Sequence, residues 1–282
     1  MITDPPTIGD IRRKKFVLTN LFLQKTRRCN FRCKICCNGE QQDFSMKPKT
    51  EDNILGFFKN VPISNIGLVG GEPSFDLGSL AELYDALKRN DTWFYHLGLF
   101  TNGSNPSQEF FDAIDRISDL ALEDPEFFHK ISIHKTERLS HKQEHERLGL
   151  DYEGNRQKFD ELIARYPHFY KIPALDPMFV NAIVKCGNAA KAENFEYLEN
   201  LDESLFEPVE FGREKLEFQR FPGGHLALDG IKFNAKGDIL PNTGREFANV
   251  EYITEERNNF GNINREDLTE VLINNGELEI IR

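Results

Sequence analysis

Two hydrophobic periods alternate along the chain. Mostly apolar runs cover residues 16–23, 66–70 and 94–100, a shorter one covers 119–123, and a late one covers 179–185. Each has the length of a buried strand. Between them, apolar positions recur three and four apart: Ile54, Leu55, Phe57 and Phe58; Leu80, Leu83, Tyr84 and Leu87; Phe110, Phe111, Ile114 and Ile117; Phe159, Leu162 and Ile163. These stripes predict helices over 51–59, 77–88, 108–117 and 157–166. Strands alternating with helices of this length predict a parallel sheet with helices outside. Right-handed crossovers curl such units into a barrel or part of one.

Two stretches break the alternation. Residues 125–156 are rich in charge and hold His129, His134, His141 and His145; they predict an insertion over the barrel mouth, partly helical over 140–147. Near the C-terminus, residues 226–230 and 231–241 predict a hairpin turned by Ala235-Lys236-Gly237-Asp238, and 265–272 a helix begun by Asn264. The expected division is a barrel over 1–190 and a smaller α+β extension over 191–282.

Composition narrows the class. With 282 residues, 39% hydrophobic and 24 Phe, the chain can build a substantial core. It has no apolar run of about 18 residues, so no membrane helix is expected, and its polar, Pro-rich start lacks a signal core. A net charge of −11 argues against nucleic-acid binding, which needs a basic surface to neutralise phosphates. Cys29, Cys33, Cys36 and Cys37 crowd into one short stretch, unlike a disulfide framework.

That stretch carries the chemistry. Cys29, Cys33 and Cys36 have a Cys-x3-Cys-x2-Cys spacing. Three thiolates on one loop can hold three irons of a four-iron cluster, whereas electron carriers usually supply four cysteines. The remaining iron is then open to a ligand, as the open position of a catalytic zinc site is. Two further motifs follow at the ends of predicted strands: Gly70-Gly71-Glu72-Pro73 and Thr101-Asn102-Gly103.

In this order, the three motifs resemble those of the radical S-adenosylmethionine (radical SAM) enzymes. The resemblance implies a partial (β/α)6 TIM-like barrel, α/β in class, with its site at the C-terminal strand ends. It implies one [4Fe-4S] cluster on Cys29, Cys33 and Cys36, and SAM chelated to the open iron. Glu72, with the Gly70–Gly71 backbone, would take the methionyl amine, and Ile35 would lie against adenine. Asn102 ends the third strand and would line the pocket. Glu123 is the fourth-strand candidate for a ribose or substrate contact, and Ser132 is its rival; Asn181 and Asn188 are further pocket candidates. Such an enzyme cleaves SAM reductively to a 5′-deoxyadenosyl radical that abstracts hydrogen from a substrate C–H bond. An oxygen-sensitive cluster fits a reducing cytoplasm. Arg12, Arg13, Lys14, Lys15, Lys25, Arg27, Arg28, Arg32 and Lys34 form a basic stretch that fits either a solvated surface or a docking site for an acidic flavodoxin or ferredoxin.

The C-terminal residues resemble the SPASM or "twitch" extension of many radical SAM enzymes, but Asn242 and Thr243 follow Pro241 where a cluster cysteine is expected. An auxiliary cluster is therefore not expected. Relatives with this extension often modify peptides, which favours a peptide or peptide-derived substrate. Epimerisation, dehydrogenation or lysis of a small metabolite stays open. Cys186 is either a small core residue or a hydrogen donor to a substrate radical. Two readings of another class compete: a zinc knuckle using Cys37 as fourth ligand, and a zinc hydrolase built on His141-x-x-Glu144-His145, whose spacing also fits a solvated helix.

Overall fold

The computed structural model describes residues 7–33, 36, 41–123, 129–135, 139–172, 216–221, 225–241 and 259–280. Five strand–helix units open the chain. Helix α1 (Ile8–Arg12) leads into β1 (Val17–Thr26), followed by α2 (Pro48–Phe57), β2 (Ile63–Gly70), α3 (Leu77–Arg89), β3 (Phe94–Thr101), α4 (Gln108–Ser118), β4 (Ile131–Lys135), α5 (Leu139–Arg147), α6 (Tyr152–Ile163) and β5 (Phe169–Lys171). Beyond them lie β6 (Leu216–Arg220), β7 (Leu226–Phe233), β8 (Ile239–Pro241), α7 (Leu268–Asn275) and β9 (Gly276–Ile280). Local chemistry starts the helices. Asp76, Ser107, Asp151 and Asp267 each accept a backbone N–H of the first turn of α3, α4, α6 and α7.

The strands form one open sheet in the order β5-β4-β3-β2-β1-β7-β6-β9, with β8 paired to β7. Strands β1 to β5 are parallel to their neighbours, and β7 is parallel to β1. Register sorts the side chains into two faces, because successive residues of a strand point oppositely. One row runs Ile231, Leu21, Ile66, Leu97, Ile131, and the next Phe233, Leu23, Leu68, Leu99, Ile133. Both are buried in one core with Ile54, Leu83, Phe110, Phe111 and Ile114 of the helices. This is the outer face. The inner face carries Asn20, Asn65 and His96 in one row, and Phe22, Gly67, Gly98 and Ser132 in the next.

Several expectations move. The fourth strand is not 119–123. Leu120 and Ala121 close the end of α4 through bonds to the carbonyls of Ile117 and Ser118, and Leu122 N–H reaches Phe94 O at the start of β3. Strand four is Ile131–Lys135, inside the stretch read as an insertion, so 125–156 contains a sheet strand rather than an excursion. The C-terminal hairpin forms, with Asn234 Oδ1 accepting the N–H groups of Lys236 and Asp238 in its turn. The following helix begins three residues later than expected, because residues 262–266 make a turn on the Asn262 side chain and carbonyl. The division expected at residue 190 and the strand expected at 179–185 lie outside the described residues; β7 continues the sheet of β1.

A candidate active site on the cysteine loop

The strand ends build the site. As β1 finishes, Gly71 N–H donates to Thr26 O at 2.7 Å and Glu72 N–H to Arg28 O at 2.7 Å, so the exit of β2 is stitched to the base of the cysteine loop. On its other side, Arg27 N–H donates to Phe44 O at 2.9 Å. The approach explains the paired glycines. Gly70 has φ +121°, a region side chains rarely adopt, and a Cβ on Gly71 would collide with the Arg28 carbonyl. The Gly-Gly pair, expected to face a ligand, packs against the protein's own loop.

Cys29, Cys33 and Cys36 are thiols outside any disulfide. Cys33 is buried, and Cys29 and Cys36 are partly so. Cys36 N–H donates to Cys33 O at 3.1 Å, turning the loop back on itself. From the end of β3, Asn102 Nδ2 donates to Cys29 Sγ at 3.7 Å and to Asn30 Oδ1 at 3.1 Å, and Asn30 Nδ2 donates to Ser104 Oγ at 2.8 Å. All three motifs therefore meet at one pole of the sheet.

Burial pushes the Cys29 thiol up to about 12 and the Cys33 thiol up as well. The largest electrostatic influences on them are other acids: Glu72 and Cys36 on Cys29; Cys36, Cys29 and Glu144 on Cys33. A pole of acids that repel one another fits a cationic guest, since a coordinating metal deprotonates thiols outright. Among the described residues, no group of three or more His, Cys, Asp and Glu side chains is set to hold one metal ion. Three separated thiols fit a multi-iron core better than a zinc ion, which draws its sulfurs to about 2.3 Å. Cys37, the fourth ligand of the zinc-knuckle reading, lies outside the described residues.

Glu72 is 1% exposed. Oε1 accepts Ser74 N–H at 3.1 Å, Ser74 Oγ–H at 2.8 Å and Thr101 Oγ1–H at 2.7 Å; Oε2 accepts Asn102 N–H at 2.6 Å. A carboxylate offers about four acceptor positions. Three of these donors crowd Oε1, while Oε2 keeps a second acceptor position; together the contacts pin the exit of β2 to the end of β3. Burial raises its pKa, against the pull of the same hydrogen bonds.

Residues 23–129 match the family described as the Radical SAM superfamily. The match runs from within β1 to just before β4, and so takes in all three motifs. Among solved structures, native anSMEcpe with bound AdoMet and Kp18Cys peptide shares the fold at TM-score 0.52 and 13% identity, over 90% of this chain and 80% of that one. A histidine-tagged anSMEcpe with bound AdoMet gives 0.50 and 13%, with the same coverage. Streptococcus suis SuiB bound to precursor peptide SuiA aligns at 0.43 and 12%, over 93% of this chain, which spans 66% of the SuiB chain. No curated protein matches the sequence.

The structure brings some of the expected site residues to this pole and not others. Glu123 is exposed and follows Leu122, which bonds the start of β3, so it lies at the opposite end of the strands from the cysteines. Ser132 sits on the inner face of β4 beside Gly98, and is buried. Ile35, Cys186, Asn181 and Asn188 lie outside the described residues. The basic stretch does not form one patch: β1, ten residues long, separates Lys15 from Arg27 by roughly 30 Å, and Lys25 is buried with Glu51. His145, offered as a zinc ligand, donates Nδ1–H to His141 O at 2.8 Å and packs on Phe31.

The inner face supplies residues the sequence reading passed over. Asn20, Asn65 and His96 form a chain: Asn65 Nδ2 donates to Asn20 Oδ1 at 3.1 Å, and His96 Nδ1 donates to Asn65 Oδ1 at 2.8 Å. His134 stacks on Phe100 with ring centroids 4.4 Å apart. Burial, then His96, lowers the His134 pKa to about 4. Their signal was polar residues at alternate positions of otherwise apolar strands. Among the described residues, no helix is long and apolar enough to cross a membrane.

Proposed function

We propose that the chain uses SAM and one four-iron cluster to abstract hydrogen from a C–H bond of a peptide or peptide-derived substrate. The observation that carries this is the meeting of three thiols on one loop with the Gly-Gly-Glu-Pro turn and the Thr-Asn-Gly end at the C-terminal pole of a parallel sheet. Cys29, Cys33 and Cys36 would hold the cluster. Bound there with SAM, it supplies the electron that cleaves SAM to methionine and a 5′-deoxyadenosyl radical.

The chain's own residues orient and shield this reaction. Asn102 donates to Cys29 and fixes its sulfur. Glu72 would take the SAM amine at the second acceptor position of Oε2. Ser132 and His134, on the inner face of β4, face the space where a substrate lies within reach, and the neutral imidazole of His134 gives it a polar but uncharged wall. Arg27, Arg28 and Arg32, beside the loop, receive an acidic flavodoxin or ferredoxin. The peptide assignment is supported by the fold shared with anSMEcpe, solved with a Kp18Cys peptide, and by the hairpin that follows the barrel. The test is anaerobic turnover with SAM and dithionite. Wild-type protein forms 5′-deoxyadenosine and Cys33→Ala forms none; absence from the reconstituted wild type overturns the reading.

A further inference from the structure

Helix α5 is the charged helix whose His-x-x-Glu-His spacing the active-site account leaves unused. It does not stand free in solvent. Phe31, 2% exposed, seats its ring against His141 and His145 with centroids 5.7 and 4.9 Å away. His145 in turn packs edge-on to Tyr152 of α6 at 5.1 Å. One turn of α5 then grips the loop backbone on both sides of Phe31. Glu144 Oε2 accepts Arg32 N–H at 2.7 Å, and Arg147 Nη2 donates to Asn30 O at 3.3 Å. Arg147 closes the arrangement on Glu144 Oε2 through Nη2 at 2.7 Å and Nε at 3.0 Å.

These contacts fall on residues 30–32, between the first two cysteines. A loop with no regular secondary structure leaves its N–H and C=O groups in need of partners, and here a helix far along the chain supplies two of them. The pair also lies beside Cys33, because Glu144 holds the amide of the residue before it. Net charge and hydrogen bonding near the sulfurs set the potential of an iron–sulfur cluster.

We infer that α5 is the clamp of the cysteine loop, with Glu144 and Arg147 as positioning residues that fix residues 30–32 and, as opposite charges beside Cys33, balance the reduction potential of the cluster. The second half rests on the cluster reading proposed above; the first stands on the contacts alone.

Opposite charges give a signature that loosening the fold does not. In reconstituted protein, Glu144→Gln keeps an acceptor for Arg32 N–H, removes a negative charge, and raises the potential read by redox titration of the cluster's EPR signal. Arg147→Met leaves Glu144 uncompensated and lowers it. Glu144→Ala removes the acceptor and speeds iron loss to a chelator by about 10-fold, as loss of a supporting contact to a metal ligand does. In the metal-free chain, the Arg32 amide exchanges its hydrogen about 5-fold faster in Glu144→Ala, for a lost hydrogen bond of about 1 kcal/mol, and Glu144→Gln restores protection. Shifts of both variants in the same direction, or none, overturn the balancing role. Unchanged Arg32 exchange overturns the clamp. Wild-type protein that takes up no iron overturns the cluster reading and the balancing role together, while amide exchange still decides the clamp.

Discussion

The two faces of the sheet give their buried ionisable groups different partners. On the outer face, Lys25 of β1 and Glu51 of α2 are both fully buried and meet each other in an ion pair. Burial lowers the Lys25 pKa to about 7, but each group has the other as its partner, and around them lie the aliphatic rows of the core. On the inner face and at the cysteine pole, the ionisable groups are likewise driven toward neutrality. Burial raises Glu72 and Cys29, and lowers His96 and His134. Glu72 is answered by hydroxyl and amide donors and the thiols by one another's repulsion. The outer face completes its electrostatics in order to hold the fold.

Breaking the outer pair gives the largest effect on stability. Lys25→Met strands the Glu51 carboxylate in the core and lowers stability by roughly 3–5 kcal/mol. The double variant Lys25→Met with Glu51→Leu recovers most of this, since a packed apolar pair replaces a buried ionic one at little net change. Urea unfolding of the metal-free chain measures both; equal losses in single and double variants would show that packing, not charge, matters there.

The inner pole responds less in stability and more in function. Glu72→Gln places an amide N–H against a donor and lowers stability by about 1–3 kcal/mol, while SAM binding followed by equilibrium dialysis is lost. Unchanged SAM affinity would leave Glu72 as a pin between β2 and β3 alone. Asn102→Ala removes the donor to Cys29 Sγ. It costs about 1 kcal/mol or less but shifts the potential of the reconstituted cluster downward, because a donor to sulfur favours the reduced, more negative state. An unmoved potential would remove Asn102 from the cluster's surroundings.

The smallest expected effect is a slope. His134 holds its proton in the folded chain only below about 4, whereas the unfolded chain takes it up near 6.5. Between those values the unfolded state binds more protons, so stability falls as pH drops through that window. His134→Phe keeps the stack on Phe100 and flattens the slope. A slope unchanged in that variant assigns it to other groups, His96 first.

The sequence was most legible where one face of an element is wholly apolar. The stripe of Phe110, Phe111, Ile114 and Ile117 predicts α4 within one residue, because all four side chains are buried. Strand four was missed for the converse reason. In Ile131-Ser132-Ile133-His134 every second residue faces the inner cavity and is polar, so the stretch reads as surface, while Leu120-Ala121-Leu122 reads as strand and serves only to close a helix. The cysteines and the two strand-end motifs were legible because their chemistry is carried by residue type. The grip of α5 on the loop was not, since it joins side chains to backbone across 112 residues, with no periodic signature. Nor was the pairing of β7 with β1, a contact that only the folded chain defines.

The measurement that tests the central claim most directly is the iron and acid-labile sulfide content of anaerobically reconstituted protein, with EPR of the dithionite-reduced cluster before and after SAM is added. The account predicts about four irons per chain, a signal that changes on adding SAM because one iron lacks a protein thiolate, and loss of both in Cys33→Ala. Zinc without iron, or a four-iron signal indifferent to SAM, would contradict it.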